Sequence, residues 1–207
     1  MFKTISNSIT EELIEKKSKF IANIFYVETQ EEAEAKIKEM KKKYFDAKHN
    51  CFAYSIYSEN GIINRFSDDG EPSGTAGSPM LNILNSKKLC NIVVIVTRYF
   101  GGILLGTGGL VRAYTGVLQC ALDKIEEIEK DLGLEIKIEI RYQDLEKLKY
   151  YLKKNNLEIT KIEYKENVHV FIEITKKVFE NLKNNVNNFN FKILNIEVIK
   201  NKLVNIS

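Results

Sequence analysis

Five of the protein's 11 glycines fall within residues 101–109. These glycines follow an apolar segment that predicts a strand and precede a segment with helical periodicity; they are Gly101, Gly102, Gly106, Gly108 and Gly109. A glycine-rich turn between a strand and a helix N-terminus exposes backbone N–H groups at the positive end of the helix dipole. The spacing therefore predicts an anion site that would take phosphate.

Two arginines flank the glycine cluster. Arg98 lies at the end of the preceding predicted strand, and Arg112 lies in the first turn of the following helix, opposite its apolar stripe. A guanidinium group donates in a planar fork that matches phosphate oxygens. The segment lacks the G-x-x-x-x-G-K-[ST] pattern of a Walker A site and the distant acidic residue of a Rossmann unit. The alternative interpretation is architectural, with the glycines allowing close packing where strand meets helix.

The second candidate site is the loop of residues 67–78, which contains almost no apolar surface. Its carboxylates, Asp68, Asp69 and Glu71, lie close to Arg65 and could hold Mg²⁺ or Ca²⁺ or act as acid and base on a phosphorylated substrate. The spacing departs from the twelve-residue calcium loop, so no metal is expected. The carboxylates could instead order the loop through its backbone. In that interpretation Arg65 and the loop bind an anion, with contacts from Ser73, Gly74 and Thr75.

The histidines and cysteines form no recognisable catalytic or metal motif. His49 precedes a predicted strand and has no nucleophile motif nearby, so it is interpreted as a hydrogen-bonded side chain that could also order the loop or contact a ligand. His169 lies within another predicted strand. Cys51, Cys90 and Cys120 lack CxxC spacing and lie in apolar segments, which predicts three buried thiols. No catalytic residue and no cofactor are predicted.

Charge and hydropathy restrict the class of protein. The formal net charge is +3, with 14 basic and 10 acidic side chains in residues 132–207 against 17 and 18 in residues 1–131. This C-terminal excess favours a polyanionic partner, although a Lys- and Asn-rich composition alone could produce it. No apolar stretch approaches the roughly 20 residues that cross a bilayer, and the N-terminus lacks an apolar signal region. A cytoplasmic protein without a membrane partner is expected.

The glycine cluster and the acidic loop both belong to a predicted first domain, residues 1–131. Thr29 and Glu32 form a capping box at the start of a helix, and Asn60-Gly61 predicts a tight hairpin. The segment 91–100 is continuously apolar, as in a central strand. A long helix carries an apolar stripe from Leu110 to Ile128, and Gly133 is expected to end it in the left-handed conformation.

The remaining residues, 132–207, predict a second domain. Leu134, Ile136, Ile138 and Ile140 alternate as in a half-buried strand. Helical spacing follows in 144–155 and 176–187, and further strands are predicted at 159–164, 168–174 and 192–199. The order β-α-β-β-α-β is that of ferredoxin-like domains, so the predicted fold class is α+β in both halves.

Five segments of the first domain resemble the IMPACT N-terminal domain. They are residues 17–22 (KSKFIA), 49–54 (HNCFAY), 65–77 (RFSDDGEPSGTAG), 96–102 (VTRYFGG) and 106–114 (GTGGLVRAY). The set is long and ordered, so the chain is identified as a member of the IMPACT/YigZ family. The second domain is similar to the small C-terminal domain of bacterial YigZ-type members.

The resemblance implies a ribosomal protein S5 domain 2-like fold for the first domain and a fold like the last domain of elongation factor G for the second. Relatives with these folds bind RNA or the ribosome, and eukaryotic IMPACT proteins regulate translation through the activator of a stress-response kinase. Residues 1–207 contain no counterpart of the extra N-terminal domain of those proteins, so kinase regulation is not expected. We therefore expect a translation-associated protein that binds RNA, the ribosome or another nucleic acid. A phosphate- or metal-dependent hydrolase and a protein-interaction adaptor are the alternatives.

Overall fold

The computed structural model describes residues 2–205, with the side chain of residue 187 outside the description. These residues form two compact units, 2–128 and 129–205. The division falls within a strand, three residues before the boundary expected from the sequence. Within residues 2–205, no helix combines the length and apolar character that crossing a bilayer requires.

The first unit is built on a five-stranded antiparallel sheet. Its elements in chain order are β1 (Phe2–Ile5), β2 (Ile9–Glu15), β3 (Ser18–Tyr26), α1 (Gln30–Lys43), β4 (His49–Ser58), β5 (Gly61–Ser67), α2 (Gly77–Ser86), β6 (Ile92–Tyr99) and α3 (Gly106–Leu122). The sheet has the order β2-β3-β6-β4-β5. Strand β6 is therefore central, as its continuous apolar sequence predicts.

The two faces of this sheet pack against different helices. Val94 and Val96 lie on one face with the apolar side chains of α2 and α3, whereas Val93 and Ile95 lie on the other with those of α1. All four side chains are fully buried. Burial of a Val or Ile side chain stabilises the fold by about 1.5–3 kcal/mol. The double-sided core explains why β6 shows no alternation in its sequence.

Local signals in the sequence place the ends of the elements. The Thr29 hydroxyl accepts from Glu32 N at 3.1 Å, and the Glu32 carboxylate accepts from Glu28 N at 2.7 Å, so both polar groups serve the start of α1. Gly61 has a φ of +114° in the hairpin between β4 and β5. Both features are predicted correctly because each depends on residues only a few positions apart.

The second unit has the ferredoxin-like order. Its elements are β7 (Glu127–Ile140), α4 (Leu145–Lys154), β8 (Ile159–Tyr164), β9 (Val168–Thr175), α5 (Lys176–Asn185) and β10 (Ile193–Asn205), with short 3₁₀ helices at Tyr142–Asp144 and Val186–Asn188. The strands pair antiparallel in the order β10-β7-β9-β8. The predicted α+β class and β-α-β-β-α-β order are confirmed.

The prediction that α3 extends to residue 131 is wrong. The helix ends at Leu122, Ile125 lies in the following turn, and Ile128 belongs to β7. Strand pairing explains the difference, because β7 pairs with β10 as far back as Lys130. Tertiary hydrogen bonds therefore outweigh the helical periodicity of this segment.

Gly133 is not a helix-terminating residue. It lies within β7 opposite Thr175 of β9, and its φ is not positive. A Cβ atom at this position would lie 2.4 Å from the Ile174 carbonyl oxygen and 2.4 Å from Val204 Cγ2. Glycine is needed here because neighbouring strands approach too closely for a side chain.

Substituting Gly133 by alanine is expected to destabilise the protein by about 1–3 kcal/mol, because β7 must shift to admit the methyl group. The matched control is Gly116→Ala in α3, where the new Cβ would make an ordinary 3.6 Å contact with Leu13 Cδ2. Alanine is a better helix former than glycine by about 1 kcal/mol, so the control should gain stability. Thermal unfolding followed by circular dichroism tests both; equal melting temperatures for Gly133→Ala and wild type would contradict the steric argument.

Candidate functional site

The carboxylate of Asp68 organises the acidic loop. Its Oδ2 accepts from Gly74 N at 2.8 Å, and its Oδ1 accepts from Ala76 N at 3.0 Å and from Gly77 N at 2.8 Å. Gly77 is the first residue of α2. A negative charge at a helix N-terminus stabilises the helix and satisfies N–H groups that lack partners within it. Asp68 thus closes the loop and begins α2.

Asp69 and His49 fasten the loop to the start of β4. The Asp69 carboxylate accepts from Asn50 N at 2.7 Å and from Lys41 Nζ at 2.7 Å. His49 Nδ1 lies 2.9 Å from the Asp69 carbonyl oxygen. A carbonyl oxygen only accepts, so Nδ1 carries the hydrogen in this contact. Asp69 has a φ of +43°, which its backbone and side-chain bonds maintain.

Glu71 and Arg98 form an ion pair inside the first unit. Glu71 Oε1 accepts from Arg98 Nη1 at 2.7 Å and from the Tyr114 hydroxyl at 2.9 Å. The two charged side chains are only 3% and 7% exposed. The Arg98 guanidinium lies over the rings of Phe20 and Phe100, 5.5 and 5.6 Å from their centroids. The positive charge of Arg98 is thereby neutralised beneath the surface.

The neighbouring thiol and phenol are poorly suited to be nucleophiles. Cys51 Sγ donates to the Asp68 carbonyl oxygen at 3.0 Å and lies 3.3 Å from the Tyr114 hydroxyl. Burial raises the pKa of Cys51 to about 12 and, as the largest of several causes, raises that of Tyr114 well above its usual range. The thiolate is the reactive form of cysteine, so Cys51 is inert near neutral pH.

The prediction of three buried thiols is correct for two. Cys51 and Cys90 are buried, whereas Cys120 is exposed near the end of α3. The apolar neighbours of Cys120 in sequence lie on the core face of the helix, which the side chain of Cys120 does not share. Helical position, rather than local composition, determines its exposure.

The acidic loop leaves few of its expected anion donors available. Ser73 and Gly74 are exposed, but the Gly74 amide donates to Asp68. Thr75 is buried, and both its amide and its hydroxyl donate to the Pro72 carbonyl oxygen. Within residues 2–205, no group of three His, Cys, Asp or Glu side chains has an arrangement that would hold a metal ion. The geometry is that of a loop ordered by its own carboxylates.

Two glycines of the second loop are required by its conformation and packing. A Cβ on Gly101 would lie 2.0 Å from the carbonyl carbon of Lys17, and Gly101 N donates to Ser18 Oγ at 3.1 Å. Gly102 has a φ of +84°. The loop after β6 therefore rests directly on the turn between β2 and β3, which supports the architectural interpretation for this half of the glycine cluster.

The other three glycines begin α3 and leave its N-terminus accessible. Gly106 has a φ of +70°, Gly106 and Gly108 are exposed, and Gly109 is buried. Leu105 precedes the helix and supplies no side-chain cap, and the first turn contains no acidic residue. The Arg112 guanidinium lies above this turn, with Nη1 3.7 Å from where a Cβ of Gly108 would be. Arg112 thus lies beside the exposed first turn of α3, and its role in binding an anion stays a prediction.

Two lysines beside Arg112 were not predicted as site residues. Lys16 and Lys17 form the two-residue turn between β2 and β3, with φ of +45° and +65°. Lys16 and Arg112 line a concavity of about 170 Å³, together with Leu13, Glu15, Leu105, Gly109 and Ala113. No ion pair involves Lys16, Lys17 or Arg112 within residues 2–205.

The three predicted arginines do not form one site. Arg98 is buried on the central strand, and Arg65 is exposed on β5 at one edge of the sheet. Arg112 belongs to the region of β2, at the opposite edge. The accessible basic side chains near α3 are those of Lys16 and Arg112, which line one concavity, and of Lys17, the next residue of the turn; we call these three residues the α3 basic cluster.

Together these features define a class: a two-domain α+β protein with a glycine-rich antiparallel first unit and a ferredoxin-like second unit. Residues 16–122 match the Impact N-terminal domain, and residues 138–189 match a domain of unknown function, DUF1949. The chain belongs to the IMPACT family, which confirms the resemblance found in its motifs.

Named relatives match this chain over most of their length. The chain is 39% identical over 174 residues to the IMPACT family member YvyE of Bacillus subtilis (strain 168), covering 84% of this chain and 80% of that protein. It is 39% identical over 139 residues to the IMPACT family member YigZ of Escherichia coli (strain K12), covering 67% of each. A crystal structure of an hypothetical protein matches with a TM-score of 0.65 and 30% identity, covering 100% of this chain and 97% of that one. A solved structure thus matches this chain over the residues of both units.

Replacing Glu71 by glutamine is expected to destabilise the protein by roughly 3 kcal/mol, because the Arg98 charge stays buried without a counter-charge. The control Tyr114→Phe removes one hydrogen bond to the same carboxylate and should cost about 1 kcal/mol. Denaturant unfolding gives both values. The Glu71→Leu/Arg98→Met double variant should be more stable than Glu71→Gln, and a Glu71→Gln variant as stable as wild type would refute the ion-pair assignment.

Proposed function

We propose that this protein is a translation-associated regulatory factor that binds RNA or the ribosome without catalysing a reaction, and that its first unit contacts phosphate groups through the α3 basic cluster. The observation that carries the proposal is the concavity that Lys16 and Arg112 line beside the uncapped N-terminus of α3, with Lys17 next to Lys16 in the same turn. Contacts of this kind position a protein on a nucleic acid backbone without reading its sequence.

The link to translation comes from the family. The segments within residues 17–114 resemble a domain whose eukaryotic members regulate translation and whose fold relatives bind RNA or the ribosome. Residues 16–122 match that domain, and they contain the whole α3 basic cluster. A cytoplasmic location, where translation takes place, is part of the same proposal.

Fewer residues of the first unit are free to contact an anion than the sequence predicts. Arg98 is excluded from direct contact because Glu71 neutralises it. Gly74 and Thr75 are excluded because their amides already have acceptors. Arg65 is exposed at the far edge of the sheet, where it could contact a long polyanion but not the phosphate held at α3. The primary contacts are therefore those of the α3 basic cluster with the amides of Gly106 and Gly108, since Gly109 is buried in the helix.

The hydrolase alternative receives no support from the acidic loop. Asp68 accepts three backbone hydrogen bonds, Asp69 accepts from an amide and an ammonium group, and Glu71 is buried against Arg98. A general base or metal ligand needs an oxygen directed toward substrate. Each of these carboxylates instead accepts hydrogen bonds from donors of the protein itself.

We expect Lys16→Ala/Arg112→Ala to weaken binding of purified ribosomes and to make the salt dependence less steep, by roughly one unit of slope for each phosphate that the variant no longer neutralises. Cosedimentation over a range of salt concentrations measures both quantities. The control is Lys42→Ala, which also removes a lysine charge but lies on α1, the helix that packs against the other face of the sheet. Salt-independent association of the wild type, or equal effects of Lys42→Ala, would rule the proposal out.

A second candidate function, a protein-interaction adaptor, is favoured by the apolar side chains of the loop between β6 and α3. Phe100, Ile103 and Leu104 are 53%, 41% and 84% exposed. Gly101 packs on Lys17 and fixes the base of this loop, so the apolar side chains are presented on an ordered backbone. Exposed apolar groups held in this way are typical of protein-binding surfaces.

The adaptor function predicts that Ile103→Ser reduces ribosome association about equally at all salt concentrations, because apolar burial does not depend on counterion release. Ile62→Ser is the matched control, since Ile62 has the same side chain and is 39% exposed on β5. Cosedimentation of the two variants separates this contact from the electrostatic one. If Ile103→Ser and Ile62→Ser associate with ribosomes equally well, the adaptor function is ruled out.

A further inference from the structure

The open face of the second sheet is electrically balanced. Glu135, Lys137 and Glu139 of β7 alternate with buried isoleucines that pack on α4 and α5, so their side chains lie on the opposite face. The ion pairs of this face and its edge are Lys137–Glu197, Lys200–Glu135, Lys202–Glu173 and the contacts of Glu163 with Lys161 and Lys165. Charges paired in this way present little net attraction to a polyanion.

RNA-binding sheets of comparable topology use exposed aromatic rings on the open face to stack bases. In this unit the corresponding ring is Phe171, and the ammonium group of Lys161 lies 5.5 Å from its centroid. The ring is thus partly covered by a lysine that itself pairs with Glu163. The excess of positive charge in the second unit must therefore lie on another surface.

That surface is the helical layer. Helix α4 contains four lysines, Lys147, Lys149, Lys153 and Lys154, and a single acidic residue, Glu146, which pairs with Lys149 at 2.8 Å. Lys147 Nζ lies 3.6 Å from Asp144 Oδ1, just before the helix, whereas Lys153 and Lys154 form no ion pair within residues 2–205. Beside α4 lies a groove of about 580 Å³, which we call the aromatic groove and define by Lys147, Tyr150, Tyr151, Lys154, Phe189 and Phe191. Glu146, Asn188 and Asn190 complete its lining.

The aromatic groove is formed by rings in contact with one another, of which Phe189 and Phe191 are stacked and Tyr151 is tilted. The centroids of Tyr151 and Phe189 are 4.7 Å apart, and those of Phe189 and Phe191 are 5.0 Å apart with planes only 10° from parallel. Tyr150 is 70% exposed at the rim. Lys147 and Lys154 are seven residues apart, which places them about 10 Å apart along the helix axis. Two cationic side chains therefore flank one aromatic cleft.

We propose that the aromatic groove binds single-stranded RNA, with a base stacked against its rings and the adjoining phosphates contacted by Lys147 and Lys154. This inference rests on the proposed function, and it assigns to the second unit a direct contact with RNA. The π faces of aromatic rings accept base planes of any sequence, and lysines at both ends match the charge of a backbone running across the groove. An acidic peptide fits less well, because its carboxylates would gain from the lysines but would face an apolar cleft lined by four rings.

The test uses the full chain and a 5′-labelled oligouridine of about 12 nucleotides, with binding followed by fluorescence anisotropy over a range of salt concentrations. Tyr150→Ala should weaken binding about tenfold with an unchanged salt slope, because stacking is lost and charge is not. Lys154→Ala should weaken binding and lower the slope by about 0.7, the value for one contact to a single strand. Tyr150→Phe, which keeps the ring, should bind as the wild type does.

Matched controls lie on the opposite face and edge of the unit. Tyr164→Ala removes a ring that is 61% exposed on β8, and Lys200→Ala removes a lysine of the paired sheet face; neither should change affinity by more than about twofold. If Tyr150→Ala and Lys154→Ala bind normally while Lys16→Ala/Arg112→Ala does not, the groove assignment is overturned and the proposed function stands. If the wild type binds no oligouridine and no ribosomes, both are overturned. Tighter, Tyr150-dependent binding of a polyglutamate peptide would overturn the choice of RNA.

Discussion

Two opposite charges, on Glu71 and Arg98, meet inside the first unit, and its loops depend on that pair. Arg98 lies on the central strand, Glu71 in the acidic loop, and Tyr114 of α3 donates to the same carboxylate oxygen. Three segments distant in sequence are thus joined at one oxygen atom. Burying two charges is costly unless they stay paired and hydrogen-bonded, so the loop, strand and helix must assemble together.

The two polar loops use their residues in different ways. In the acidic loop the carboxylates are occupied by amides of the same loop, an amide and an ammonium group of adjacent elements, and Arg98. In the glycine-rich loop the backbone packs closely on the turn between β2 and β3 but leaves the start of α3 uncapped. The acidic loop therefore orders the fold, whereas the glycine-rich loop leaves the start of α3 exposed to solvent. The two loops have similar compositions, so composition alone does not indicate their different roles.

Sequence reasoning succeeds where a short segment determines its own structure. The Thr29–Glu32 cap, the Asn60-Gly61 hairpin and the alternation of β7 were all predicted from neighbouring residues. It fails where distant segments decide: the end of α3 is set by pairing of β7 with β10. The buried ion pair of Arg98 escaped prediction for the same reason, because its partner Glu71 lies 27 positions away. Local patterns identify a charge but not the neighbour that neutralises it.

The turn between β2 and β3 has a thermodynamic consequence for how this surface can evolve. Two-residue hairpin turns with positive φ at both central positions favour Asn and Gly, and a side chain held in the left-handed region costs of order 1 kcal/mol. This chain has Lys16 and Lys17 there, at φ of +45° and +65°. The sequence that makes this turn most stable is therefore not the sequence that makes it most positively charged. Substitutions that stabilise the turn would remove its positive charge, unless selection for a basic surface opposed them.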